Sequence, residues 1–316
     1  MSCVEKPMRM VFGETLCENA AEFQNMVVLD ADVSSSTQTK LFGNQYPKRF
    51  FNFGIAEANM VSAAAGMAAA NLIPVVSTFA FLLTLRAGDP VQSLIAYNRL
   101  NVKLAGGYAG LSDFADGASH QSVVDLAVMR AMPGMTVLVP SDIETTQGAV
   151  KAMLKHQGPV YLRLSRDAVG SLHGGDQNFE IGKARILREG KDLTLAVSGT
   201  LLGEAFKAAD ALESEGIKAT VAEFATLKPF DHQTLTELAQ KTGAVVTIEE
   251  HSVIGGLGSA VAESLAAYYP VPQERVGMQD VFGESGPYQA LLEKFGLTTP
   301  SIVQAGHKVL ERKRDK

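Results

Sequence analysis

Three stretches of this 316-residue chain hold side chains that could move a proton or grip an anion. In Gly54-Ile55-Ala56-Glu57-Ala58-Asn59-Met60 a single carboxylate stands among small and apolar residues. An acid in the first turn of a helix is favoured by the helix dipole and needs no function. Burial along an apolar element acts the other way, disfavouring the charged form, and that conflict makes Glu57 a candidate proton carrier. The second stretch, Gly106 to Gln121, carries Asp116 and His120 among glycines, between an apolar run and a helical segment. Loops in that position line ligand sites in open α/β sheets. The plainer reading is that Asp116 stabilises a turn and His120-Gln121 open the helix. In the third, Val160 to Asp167, strand alternation puts Arg163 and Ser165 on one side and leaves Arg166 at the end. There its planar fork could clamp an anionic group, or pair with Asp167 or another acid.

The elements that must position these residues are legible as short apolar, β-branched runs. MVVLD after Asn25, IPVVST (73–78), NVKLAGG (101–107), MTVLVPSD (135–142) and VYLRLSRD (160–167) alternate with segments of helical spacing. That rhythm predicts an α/β fold with a mostly parallel sheet. It lapses in a polar, glycine-containing stretch, and restarts with DLTLAVSG (192–199), ATVAEF (219–224) and AVVTIEE (244–250). The expected organisation is a first domain over 1–170, a linker over 171–182 and a smaller α/β domain over 183–316. Gly54 to Asn71 reads as an alanine-rich helix so poor in bulk that it needs close cover, from its own domain or from another chain.

Composition excludes several classes of function. Apolar residues make up 46% and charged residues 20% of the chain, which is a globular composition. A net charge of −6 lacks the basic signature of nucleic-acid or membrane-surface binding, and the basic tail 311–316 reads as solvated. Cys3 and Cys17 are too few for a disulfide framework or a cysteine-rich zinc site. With no apolar leader or membrane-spanning run, the expected location is cytoplasmic. Gly256-Leu257-Gly258 has Val261 where a dinucleotide fingerprint needs glycine or alanine, and His232 and His251 lack partners at metal-ligand spacing. That glycine turn is expected to serve close strand-helix packing.

Taken together, FNFGIAEANMVSAAAGMAAANLIPVVSTF, DGASHQS, RAMPGMTVLVPSD, PVYLRLSRD, FATLKPFD and VVTIEEHSVIGGLGSAVAE resemble the transketolase group of thiamine-diphosphate enzymes. The resemblance runs over nearly the whole chain. It implies a pyrimidine-binding domain followed by a transketolase C-terminal domain. Glu57 matches the glutamate that hydrogen-bonds the cofactor's pyrimidine N1′ and relays a proton, and Phe79 matches the aromatic stacked on that ring. Leu82 and Leu85 stand at the next two aromatic positions, implying a more aliphatic contact. His120 and Asp116 match residues binding the donor sugar, His120 being counted with Glu57 as catalytic. Arg9, Ser36 and Arg166 match those holding the substrate phosphate.

The loop reads F-A-D-G-A-S-H-Q where transketolases have G-E-D-G-P-T-H-Q, and Tyr108 replaces an expected sugar-contacting histidine, so the donor is left open. The diphosphate-binding half, with its G-D-G motif and metal-binding asparagine, has no counterpart in the sequence. The resemblance therefore implies a split transketolase. A separate subunit would supply the diphosphate site and magnesium ligands, this chain would hold no metal itself, and the two would assemble into a heterotetramer acting on a sugar phosphate. The alternatives are a beta-type subunit of a 2-oxo acid dehydrogenase decarboxylase, a split deoxyxylulose-phosphate synthase, or a non-catalytic regulatory paralog. The C-terminal domain shows no catalytic constellation and is expected to stabilise the assembly.

Overall fold

The apolar runs become strands because each is β-branched, buried on both faces and bounded by polar or glycine residues. In a computed structural model describing residues 5–172 and 179–314, the first part of the chain forms β1 (Lys6–Pro7), β2 (Met26–Asp30), β3 (Phe50–Asn52) and β4 (Ile73–Phe79). It continues through β5 (Lys103–Gly107), β6 (Thr136–Leu138), β7 (Val160–Arg163) and β8 (Ala168–Val169). The second part contains β9 (Arg185–Arg188), β10 (Leu193–Val197), β11 (Ala219–Glu223), β12 (Thr226–Lys228), β13 (Val245–Ser252) and β14 (Gln273–Met278). Cys3, residues 173–178 of the expected linker and residues 315–316 of the basic tail lie outside the described residues.

The expected α/β architecture holds in both parts. One sheet has the order β12-β6-β7-β5-β4-β2-β3 and is parallel except at β12; the other runs β14-β13-β10-β11-β9 and is parallel except at β9. β1 and β8 form a separate antiparallel pair, placing Lys6 opposite Val169.

The two units are not independent layers. β12 belongs by sequence to the second part, yet it pairs with β6 at the edge of the first sheet. A continuous apolar core joins Val76, Leu104 and Val137 to Ala196, Phe224, Leu227 and Leu257. Polar groups follow the same seam. Arg163 forks onto Asp125, donating through Nε at 2.8 Å to Oδ2, and reaches Glu250 O at 3.0 Å. Burial opposes the Asp125 charge, but Arg163, His251 and Tyr161 outweigh it and hold the carboxyl below its ordinary range.

The alanine-rich helix spans Glu57–Ala69 and buries Met60, Val61, Ala64 and Ala65 against the core. Its opposite side, with Ala58, Asn59, Ser62 and Gly66, is exposed. A Cβ at Gly66 would meet nothing within 4 Å. No helix among the described residues is long and apolar enough to cross a membrane.

Candidate functional site

In the large sheet, β2 connects to β3 on one side, and the chain then crosses back to β4 on the other. Such a reversal leaves a crevice beyond the carboxyl ends of the strands, the usual ligand position in open α/β sheets. Here it is bordered by the segments after β2, β4, β5 and β7. Asp30 shapes the first segment by accepting from Val33 N at 2.7 Å and from the hydroxyls of Thr37 and Thr39 at 2.8 Å. Burial pushes its carboxyl above the ordinary range despite these donors. Ser36 sits on this segment.

Glu57 opens the helix that follows β3 and is 2% exposed. Its only ion pair among the described residues is with Arg86 Nη1 at 3.7 Å, and it accepts no hydrogen bond there. A nearly buried carboxylate that accepts from no protein donor can accept one from a ligand, such as a protonated ring nitrogen. Arg86 closes a widened π-type turn, Leu82–Arg86, just beyond β4. Turns of that kind recur at functional sites. Within it Leu82 is buried, whereas Leu85 is 47% exposed, so the turn offers Leu85 more readily than Leu82 to a ligand.

Past the end of β5 the residues singled out by sequence converge. The Phe79 ring lies 4.5 Å from that of Tyr108 and 6.2 Å from the His120 imidazole. Tyr108 holds a left-handed backbone at φ 57, a costly conformation for a bulky side chain that surrounding contacts must enforce. Arg9 bonds the Tyr108 hydroxyl and donates to Ser36 O at 3.3 Å. The Arg9 and Arg166 guanidiniums lie 5.4 Å and 5.2 Å from the Tyr108 ring centre, and Arg166 lies 4.6 Å from Phe114. The Nδ1 atom of His120 meets the Ser119 hydroxyl at 3.0 Å, and its Nε2 has no partner among the described residues. Asp116 is exposed on the same loop.

Arg166 pairs with Asp113 at 3.7 Å rather than with the adjacent Asp167. Asp113 is fully buried, and its carboxyl faces that of Asp116, with which a shared proton is its hydrogen bond. Burial and the neighbouring Asp116 push its carboxyl up to about 7, against the pull of Arg166. Sequence reasoning passed over this residue, because nothing in S-D-F marks its aspartate as interior. Arg86 was also missed, and Tyr108 was noted only as a replaced histidine.

Other motifs resolve into structure. Leu257 N and Gly258 N each donate at 2.7 Å to the carboxylate of Glu249, so the chain fills that helix start with its own acid. A Cβ at Gly256 would collide with this carboxylate, as close packing requires. His251 is buried, 3.8 Å from Glu249, and His232 meets Ser264 at 2.9 Å. Among the described residues no group of histidine, cysteine and acidic side chains could hold a metal ion.

Beyond the carboxyl ends of the sheet the chain gathers a nearly buried acid, two arginines beside Tyr108, and an adjoining loop that carries Asp116 and His120. The family models for the transketolase pyrimidine binding domain and the transketolase C-terminal domain match residues 5–171 and 182–302. The 6-deoxy-6-sulfo-D-fructose transketolase subunit SqwH of Clostridium sp. (strain MSTE9) is 44% identical over 306 residues, covering 97% of this chain and 95% of the relative. A solved split gene transketolase, described as an inactive beta4 tetramer, is 48% identical, with TM-score 0.90 over 98% of this chain and 99% of its own. The Leishmania mexicana transketolase structure is 25% identical, with TM-score 0.84 over 99% of this chain but 46% of its own. This chain belongs to the transketolase family.

Proposed function

We propose that this chain is the pyrimidine-side subunit of a two-chain, thiamine-diphosphate-dependent transketolase that moves a ketol unit from a ketose phosphate or similarly anionic ketose to an aldose. The observation that carries this reading is Glu57: a carboxylate 2% exposed in the first turn of the helix after β3, paired with Arg86 and without a hydrogen-bond donor among the described residues. A protonated pyrimidine nitrogen is the donor it lacks. When bound, the cofactor supplies the carbon nucleophile that adds to the donor's ketone.

The residues of this chain then divide the remaining work. Glu57 holds or passes a proton at the pyrimidine nitrogen, as a general acid-base group must from within hydrogen-bond reach. Phe79 stacks on the ring, with Leu85 and, less directly, Leu82 completing an aliphatic edge. His120, through Nε2, and Asp116 take the donor's hydroxyls. Arg9 and Arg166, with Ser36 beside them, hold its terminal anion, each guanidinium oriented by the Tyr108 ring.

The diphosphate and magnesium are assigned to a separate subunit. Supporting that, the chain spans under half of a full transketolase yet nearly all of the split-gene structure. The exposed small-residue side of the helix Glu57–Ala69, bordered by exposed Ile55 and Leu85, suits close chain-to-chain contact and self-association into a heterotetramer. Magnesium and thiamine diphosphate should stabilise the assembled pair more than this chain alone.

The test is ketol transfer with and without a co-expressed diphosphate-binding subunit, scanning ketose phosphates and 6-deoxy-6-sulfo-D-fructose. Turnover only with both chains, lost in Glu57→Ala while the complex persists, is expected. Unchanged turnover in Glu57→Ala would overturn the assignment, and release of carbon dioxide from a 2-oxo acid would move it to the decarboxylase or, where a sugar phosphate forms with it, to the deoxyxylulose-phosphate synthase reading.

A further inference from the structure

The loop carrying Asp116 and His120 is fastened from the second α/β unit. Glu250, near the end of β13, is 3% exposed with both carboxylate oxygens engaged. Its Oε1 accepts from the backbone N–H of Leu111 at 2.6 Å, and its Oε2 accepts from Thr200 Oγ1 at 3.0 Å and Tyr288 Oη at 2.8 Å. Gly110, at φ +66, lies so close beneath this carboxylate that a Cβ there would overlap it. Further along, Gly286 N donates to Phe114 O at 3.1 Å and Gln121 Nε2 donates to Glu284 O at 2.9 Å. Positions 111, 114 and 121 thus bracket Asp116 and His120.

An aromatic path runs beside these bonds. The Tyr288 ring lies 6.1 Å from Phe114, and Phe114 in turn carries Arg166 at 4.6 Å. A carboxylate this deep is costly unless well satisfied. Burial pushes Glu250 above its ordinary range, and Arg163, Tyr288, Leu111 and Thr200 act against that rise. One of its bonds is made to a single backbone amide of a loop about 140 residues earlier in the chain, a contact that fixes loop geometry more directly than it adds to a core.

We infer that Glu250 and Tyr288 are positioning residues that hold the donor-binding loop, so that the C-terminal unit sets the affinity of the site for the donor sugar. This rests on the reading above, in which that loop binds the donor. Fixing it in advance removes an ordering cost from each binding event, and displacement by even an ångström weakens groups that must meet particular hydroxyls.

The experiment compares Glu250→Ala, Glu250→Gln and Tyr288→Phe in the full chain, assembled with the diphosphate-binding subunit. D-fructose 6-phosphate and 6-deoxy-6-sulfo-D-fructose serve as donors and D-glyceraldehyde 3-phosphate as acceptor. Glu250→Ala should raise donor KM about tenfold while acceptor KM and thiamine-diphosphate affinity move less than about twofold. Glu250→Gln, whose amide oxygen still accepts from Leu111 N, should restore most of the loss. Hydrogen exchange over 109–121 should quicken in Glu250→Ala, with β2 and β4 still protected. Tyr288→Phe keeps the ring beside Phe114 and loses only the hydroxyl, so it decides the matter if Glu250→Ala does not fold. Its expected signature is a donor KM raised about threefold and faster loop exchange. Unaltered exchange at the loop, or equal losses in donor, acceptor and cofactor affinity, would overturn the inference. Absence of ketol transfer in the wild-type pair would sink the parent reading instead, leaving loop exchange to judge the clamp.

Discussion

Asp113→Asn is the perturbation that probes the site's electrostatics most directly. The native carboxyl, pushed up to about 7 by burial and by Asp116, titrates together with that neighbour, and the pair loses its shared proton between about pH 6 and 8. If Arg166 holds the substrate anion as proposed, the ionised carboxyl, 3.7 Å away, competes for it. A unit charge pair at that distance interacts by about 4 kcal/mol at an effective dielectric near 20, and the partial exposure of Arg166 cuts what is felt to about 1–1.5 kcal/mol. Donor KM should therefore rise about tenfold from pH 6 to 8 in the wild type and stay nearly flat in Asp113→Asn. Steady-state kinetics of the assembled pair provide the assay. A sulfonated donor is the decisive substrate, because a sugar phosphate itself titrates near pH 6 whereas a sulfonate keeps its charge throughout. Equal pH slopes in wild type and variant with the sulfonate would refute the reasoning. The same titration has a stability signature. The folded value lies above the unfolded value, so the folded state holds the extra proton between about pH 4 and 7, and stability falls as pH rises through that window. Asp113→Asn should accordingly raise Tm relative to wild type at pH 8 and not at pH 4.

Arg166→Lys keeps the charge but loses the planar fork between Tyr108 and Phe114; donor KM should rise about tenfold with kcat little changed, and an unchanged KM would remove Arg166 from the anion site. Ser62→Trp, on the exposed side of the alanine-rich helix, should leave the chain folded by circular dichroism yet weaken self-association by at least about tenfold in sedimentation, since a bulky side chain prevents close helix approach. Asp125→Ala strands the buried Arg163 guanidinium and should cost about 3–5 kcal/mol in urea unfolding; a loss below about 1 kcal/mol would show that the Arg163 carbonyl contacts suffice.

Much of the fold and part of the site are legible in residue order alone. Periodicity and β-branching place β2, β4, β5, β7, β10, β11 and β13, and the bulk-poor run 54–71 places the helix that begins at Glu57. These signals are local, as is the isolation of Glu57 among apolar neighbours, which foretells its burial. Resemblance adds Phe79, His120, Arg9 and Arg166 as one set; the structure brings Phe79, Arg9 and Arg166 around Tyr108 and sets His120 beside Phe79.

What order alone left open involves partners far apart in the chain. Strand alternation leaves Arg166 at the end of its run, but the acid it meets depends on how the loop after β5 folds back, and that acid is Asp113 instead of its neighbour Asp167. A three-residue run such as Thr226–Lys228 has no periodicity to say which sheet it joins, and only packing of the two units sends β12 to the first. The tether from Glu250 to Leu111 likewise has no sequence signature, because its acceptor is one carboxylate among many and its donor is a backbone amide common to every residue but proline. Residue order determined the elements and the chemical groups they carry. Tertiary structure decided which groups meet, because the burial that makes an isolated charge or amide costly exists only once distant segments have packed together.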